Sequence, residues 1–233
     1  MQFDTFGFWL DTDASVLRAV IKDYDEGVHA LSHAILAVAP LFVPSCGSDL
    51  NCDHGHHDCT RVVIFDVRAG GSGICAQLFK HVFVPDGLLE TAIDLMETCS
   101  QCRGSWGYEG GCPACLHFGQ CLMFNQHLNR NAAIQVGKRL LQRIRQTALY
   151  KENAERLANE NDAPAPLHDN HCTEKERPSP NNTTVVSPRR KARAKALRNA
   201  KEVAPTKERN VVMGRASWPT DREDSRQVDA DVN

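Results

Sequence analysis

Four cysteines in two tight pairs constrain this chain more than any other feature. Cys99-Ser100-Gln101-Cys102 and Cys112-Pro113-Ala114-Cys115 flank nine residues, giving C-x2-C-x9-C-x2-C. Each pair can offer two thiolates from one turn, and two pairs complete a tetrahedral zinc site with no position left for water. Gly104, Gly107, Gly110 and Gly111 in the spacer permit the turns that such ligation needs. A single C-x-x-C can be a redox pair, but two this close, outside a thioredoxin-like setting, favour metal. Free thiols packed as a core are the weaker reading, since clustered thiols among glycines pack poorly. We expect one structural zinc on Cys99, Cys102, Cys112 and Cys115, with Cys121 as an alternative ligand able to replace Cys99 or Cys102. A filled tetrahedron argues against metal-assisted hydrolysis at this place.

The chain has 10 cysteines in 233 residues. Its start, Met1-Gln2-Phe3-Asp4, has neither a basic n-region nor an apolar h-region, so it does not read as secreted. Thiols in that setting are ligands or free groups rather than a disulfide framework, and the sequons at Asn181 and Asn182 carry little weight. No apolar run approaches the roughly 18–20 residues that span a bilayer, so no membrane association is expected. Residues 1–150 hold 11 Lys+Arg against 15 Asp+Glu, and residues 151–233 hold 16 against 14. The patterned part is therefore net acidic and not a generic basic nucleic-acid binder.

Apolar patterning runs from Phe3 to about Leu157. Phe6–Leu10 reads as a first strand. Val28, Leu31, Ile35 and Val38 repeat at helical spacing and stop before Pro40. Val62–Phe65 is a β-branched and aromatic run suited to a strand buried on both faces, followed by Asp66, Gly70, Gly71 and Gly73 and a helix opening near Ile74. A further helix is expected from Asp86, a possible N-cap, through Met96, and a last one from about Asn131 to Asn159. Beyond it, Pro164, Pro166, Pro178, Pro180 and Pro188 stand among polar residues. Such a composition cannot bury enough surface to offset its ordering entropy, so 160–233 is expected to be a disordered tail. Val211-Val212-Met213 and Trp218 are its late apolar marks. The expected architecture is α+β: a helix-rich domain over 1–159 with a small sheet and a cysteine zinc knuckle at 99–121, then the tail.

Four weaker constellations remain. Cys46, Cys52, His54, His56, His57 and Cys59 offer soft and imidazole ligands, but the spacing is irregular and a mobile surface loop is the safer reading. His29 and His33 are four apart on one helical face, yet Ala30 stands where a metalloprotease needs its glutamate, so packing or hydrogen-bonding histidines are expected. The strand–Gly70-Gly71-Ser72-Gly73–helix passage lacks the Gly-Lys-Ser/Thr ending of a P-loop. A tight turn capped by Asp66 is the better account. Finally, Arg189, Arg190, Lys191, Arg193, Lys195, Arg198 and Lys201 form a run without acidic residues, which serves as an import signal, a phosphate-binding arm or a solvated linker.

These features in this order resemble one family. Gly27-Val28-His29-Ala30-Leu31-Ser32-His33-Ala34-Ile35-Leu36, Phe65-Asp66-Val67-Arg68-Ala69-Gly70-Gly71-Ser72-Gly73-Ile74 and Gly111-Cys112-Pro113-Ala114-Cys115 with Cys121, Asn125 and Leu128 are similar to three motifs of the C-terminal zinc-binding domain of MrfA-type (Hrq-type) DEAD/DEAH-box DNA helicases. The resemblance covers about residues 5–145. Ala69 replaces a usual proline, and the nine-residue spacer with its Cys-x-x-Cys first pair departs from the shorter Cys-x-Cys common in the family.

The resemblance implies a chiefly structural zinc site in a module that follows two motor domains in ATP-dependent 3′-to-5′ helicases of DNA repair. It implies a helicase motor as partner, in cis or in trans, with DNA as a possible ligand. The 233 residues are too few for both motor domains and the module, so this chain alone is expected neither to hydrolyse ATP nor to unwind DNA. A standalone nucleic-acid binder using the basic run is the alternative, and a zinc enzyme with ligands from the His-rich loop is a third. The basic run and the resemblance together suggest the nucleus, and otherwise the cytoplasm.

Overall fold

A computed structural model describes residues 2–53, 60–102, 111–162 and 211–219. Its elements in chain order are β1 (Gln2–Asp11), α1 (Ala14–Val20), α2 (Tyr24–Val38), β2 (Leu50–Cys52), β3 (Arg61–Asp66), α3 (Ile74–Phe79), α4 (Leu88–Thr98), α5 (Arg130–Ile144), α6 (Ala148–Asp162) and β4 (Val211–Pro219). The strands form one antiparallel sheet in the order β2-β3-β1-β4. This is an α+β fold with helices gathered on the sheet.

Strand register explains the core. Phe8 pairs with Ile64 and Leu10 with Val62, and all four are at most 1% exposed. Their neighbours Trp9, Val63 and Phe65 are half-buried. β3 is thus fully covered on one face only, contrary to the two-sided burial expected of an unbroken apolar run. Antiparallel pairing with alternating burial, rather than a parallel sheet between two helical layers, is the reason.

α2 is the central element and is buried along nearly its whole length. It packs against α4, α5, β2 and β3. Gly27 makes the α2–α5 crossing possible, because a Cβ there would lie 2.7 Å from the Ala132 backbone carbon. Asn129 caps α5, its side chain accepting from the Ala132 N–H at 3.0 Å.

Three boundaries differ from the sequence expectation. The single long helix over 131–159 is two helices: Thr147 Oγ1 donates to the Ile144 carbonyl at 2.7 Å and accepts from the Tyr150 N–H at 3.3 Å, a local cap that starts α6. α4 begins at Leu88 behind Gly87 rather than at an Asp86 cap. A Cβ at position 87 would lie 2.3 Å from the His81 carbonyl oxygen, so glycine is required there. Finally, the stretch expected to be a disordered tail contains a strand: Val211–Pro219 pairs with β1 from Leu10↔Val211 to Gln2↔Pro219. The β-branched start of that segment suits a strand, and β1 offers a free edge for it. Residues 163–210 and 220–233, including the basic run, lie outside the described residues. Among the described residues no helix is long and apolar enough to cross a membrane.

Candidate metal centre

The knuckle is built at the end of α4. Cys99 closes that helix, and a short 3-10 turn over Ser100–Cys102 brings the Cys102 N–H to the Cys99 carbonyl at 3.2 Å. The second pair folds the same way, with the N–H groups of Cys115 and Leu116 reaching the Cys112 carbonyl at 3.3 and 2.9 Å. Gly111 enters that turn at φ 83°, where an added Cβ would lie 2.8 Å from the Leu128 side chain. Spacer residues 103–110 lie outside the described residues.

These two turns bring four sulfurs together. Cys99 Sγ stands 3.9 Å from Cys112 Sγ, and Cys102 Sγ stands 3.8 Å from Cys115 Sγ. All four lie within 4.8 Å of one another. Zn–S bonds of about 2.3 Å directed tetrahedrally place sulfurs about 3.8 Å apart. The cluster therefore has the dimensions of a zinc tetrahedron. Cys99, Cys112 and Cys115 are buried and Cys102 half-buried, and four thiolates fill all the positions of a tetrahedral ion.

Burial, then contact with Cys112 and its neighbours, pushes the Cys102 thiol up to about 11. Burial, then Cys102 and Cys99, pushes Cys115 up as well. At Cys99 burial opposes ionisation, but the Cys102 and Gln101 N–H groups together with the Cys102 and Cys115 thiols lower its thiol below the ordinary value. Four thiolates cannot coexist in this space without a cation to neutralise them. The donor set, all soft and anionic when ionised, suits one zinc ion.

The family description "MrfA Zn-binding domain" matches residues 31–116, a span holding all four of these cysteines. That segment is similar to the MrfA Zn-binding domain. Over 133 residues the chain is 26% identical to the ATP-dependent helicase hrq1 of Schizosaccharomyces pombe, a match covering 50% of this chain and 12% of the helicase. Over 122 residues it is 24% identical to an uncharacterized protein of Methanocaldococcus jannaschii, covering 49% of this chain and 99% of that protein. No solved structure matches the chain.

Around the four-sulfur cluster the other sequence candidates separate. Asp66 is a cap: Oδ2 accepts from the Ser72 and Gly73 N–H groups at 2.9 and 2.8 Å, and Oδ1 from the Cys75 N–H at 2.9 Å. Gly70 and Gly71 turn the chain at φ 82° and 81°, and the Gly70 N–H is bound to the Asp4 carbonyl at 2.7 Å. The passage from β3 to α3 is thus filled by its own carboxylate and is not arranged for phosphate. In the His/Cys loop, Cys46 is exposed and Cys52 is buried on β2, while His54, His56, His57 and Cys59 lie outside the described residues. So do Arg189, Arg190, Lys191, Arg193 and Lys195.

Cys121 does not join the four-sulfur cluster as the alternative ligand. It stands instead with His29 and His33 of α2. Both halves of that grouping were visible in the sequence, as a histidine pair at helical spacing and a fifth cysteine. Nothing local connects residues 92 positions apart.

Proposed function

We propose that this chain is a zinc-held accessory domain of an ATP-dependent DNA helicase of DNA repair, acting within one polypeptide or bound to a motor chain, and not catalytic by itself. The observation that carries the reading is the set of four sulfurs at tetrahedral spacing inside the segment that matches the MrfA Zn-binding domain. The similarity to the hrq1 helicase supplies the motor side of the proposal.

Zinc, when bound, supplies folding free energy to a short segment that cannot hold itself. The protein's own residues do the rest. Cys99 and Cys102 fix the end of α4, and Cys112 and Cys115 fix the turn that seats Leu116 and Leu128, which are 1% and 5% exposed. Arg130 Nε then donates to the Met96 carbonyl at 2.7 Å, tying the start of α5 to the last turn of α4. The resulting platform presents a surface to DNA leaving the motor, in the nucleus if the basic run is read there as an import signal.

The test is recovery of the tagged full chain from its own cells at natural abundance, followed by sequencing of bound polypeptides. A partner bearing motor motifs, whose ATP-driven unwinding falls when this chain is removed, is expected. ATP hydrolysis by the purified chain alone, or the absence of any motor partner, overturns the reading.

A second reading is favoured by the M. jannaschii protein, of which the match spans 99%. That extent suits a module able to stand alone, and in this reading the basic run makes it a nucleic-acid binder. It requires DNA or RNA affinity that weakens with salt and with deletion of residues 187–201; affinity indifferent to the deletion removes the basic run from it.

A further inference from the structure

We propose that His29, His33 and Cys121 form a second, separate metal site that takes a zinc-class divalent cation. Their ligand atoms lie within 4.8 Å of one another, and all three residues are buried, at 4%, 1% and 8% exposure. They come from two places in the fold, α2 and the segment between the knuckle and α5, so the site is made by tertiary structure and not by a local motif.

The geometry favours coordination on two independent grounds. The first is distance. His29 Nε2 stands 3.5 Å from Cys121 Sγ. A tetrahedral ion with a bond of about 2.0–2.1 Å to nitrogen and about 2.3 Å to sulfur places those two ligands about 3.5 Å apart.

The second ground is orientation. His33 Nδ1 lies 2.8 Å from the Leu116 carbonyl oxygen, and His29 Nδ1 lies 3.2 Å from the His127 carbonyl oxygen. A carbonyl only accepts, so each Nδ1 carries the proton and each neutral ring keeps its lone pair on Nε2. Metal-binding histidines are held in this way, the far nitrogen donating to a backbone carbonyl. The two rings meet edge-on, 4.5 Å apart at their centroids. Cys121 Sγ is held in place by the Asn125 N–H, from which it accepts at 3.3 Å.

Two neutral imidazoles and one thiolate suit zinc and its close relatives rather than calcium or magnesium, which take oxygen. The ion would pin the segment after the knuckle onto α2. The four-sulfur site pins the turn at Cys112 and Cys115 onto the end of α4. The inference does not depend on the helicase reading.

The test uses the full chain, purified with zinc and stripped of loosely held metal. Native mass spectrometry of the wild type should show two zinc ions, and X-ray absorption at the zinc edge should show imidazole alongside sulfur. H33Q and C121S should each lower the count to one and leave an all-sulfur spectrum, with circular dichroism confirming that the variants remain folded. Should both variants fail to fold, a chain with His54, His56 and His57 all replaced by glutamine decides: it should keep two zinc ions and the imidazole signal, and loss of either overturns the proposal. One zinc with an all-sulfur shell in the wild type overturns the proposal. Two zinc ions with imidazole scattering unchanged in folded H33Q and C121S also overturn it, by placing the second ion elsewhere.

Discussion

Replacing Cys112 by serine tests the four-sulfur site at a buried corner. Cys112 is 3% exposed and its sulfur stands 3.9 Å from Cys99 Sγ. The smaller, harder hydroxyl is a poor zinc ligand, so the ion should be lost or held weakly. The zinc finger comparison, in which metal supplies about 10–16 kcal/mol, overstates the cost, because most of the core lies in the sheet, α2, α4 and α5, and the knuckle contributes only one edge of it. What comes undone is the seating of Leu116 and Leu128, both nearly fully buried. Each such side chain contributes about 1.5–3 kcal/mol, so the local loss is about 3–6 kcal/mol. At about 2–4 °C per kcal/mol for a protein of this size, Tm should fall on the order of 10 °C. Thermal unfolding by circular dichroism, with zinc counted by native mass spectrometry, reads both effects. A Cys112→Ser protein that keeps its zinc and its melting curve refutes the reasoning and removes Cys112 from the ligand set.

Other expectations follow from the same structure. Asp66→Ala strands three backbone N–H groups now bound to one carboxylate and should cost about 2–4 kcal/mol in urea unfolding; a cost below about 1 kcal/mol would deny the cap its role. Gly27→Val forces apart helices whose backbones are in contact at Ala132 and should destabilise by about 2 kcal/mol or more, seen as a lower urea midpoint at unchanged zinc content. Burial, aided by Lys80, holds the His81 imidazole below its ordinary value of 6.5. The unfolded chain therefore takes up this proton first, and the stability due to neutral His81 is complete above that value and declines as pH falls below it. His81→Leu should flatten the zinc-saturated stability profile between pH 6.5 and lower values; an unaltered slope contradicts the assignment.

The parts of the fold that could be read from the sequence are those decided by neighbours in the chain. α2 announces itself because Val28, Leu31, Ile35 and Val38 share a helical face, and the cysteine pairs carry their turns with them. The glycine turn after β3 was readable with its cap because Asp66 lies only six to nine positions from the amides it binds. Long-range features were not. β4 pairs with β1 across some 200 positions, and its short apolar signal is outweighed by the polar stretch before it. β3 looked doubly buried because side-chain type does not reveal whether a second layer covers the other face. The division of α5 from α6 rests on one threonine hydroxyl, which helical periodicity passes over. The separation of Cys121 from the other cysteines depends on where α2 happens to run.

β4 has a practical consequence for anyone shortening the protein. With it in place, the outer strands of the sheet are β4 and the three-residue β2. Cutting the chain after α6 would strip the ten-residue β1 of one partner and leave its main-chain donors and acceptors open to pairing with another molecule. Such a fragment should be judged by its solubility and light scattering before its metal content is interpreted, since clumped strands would hide what the zinc contributes.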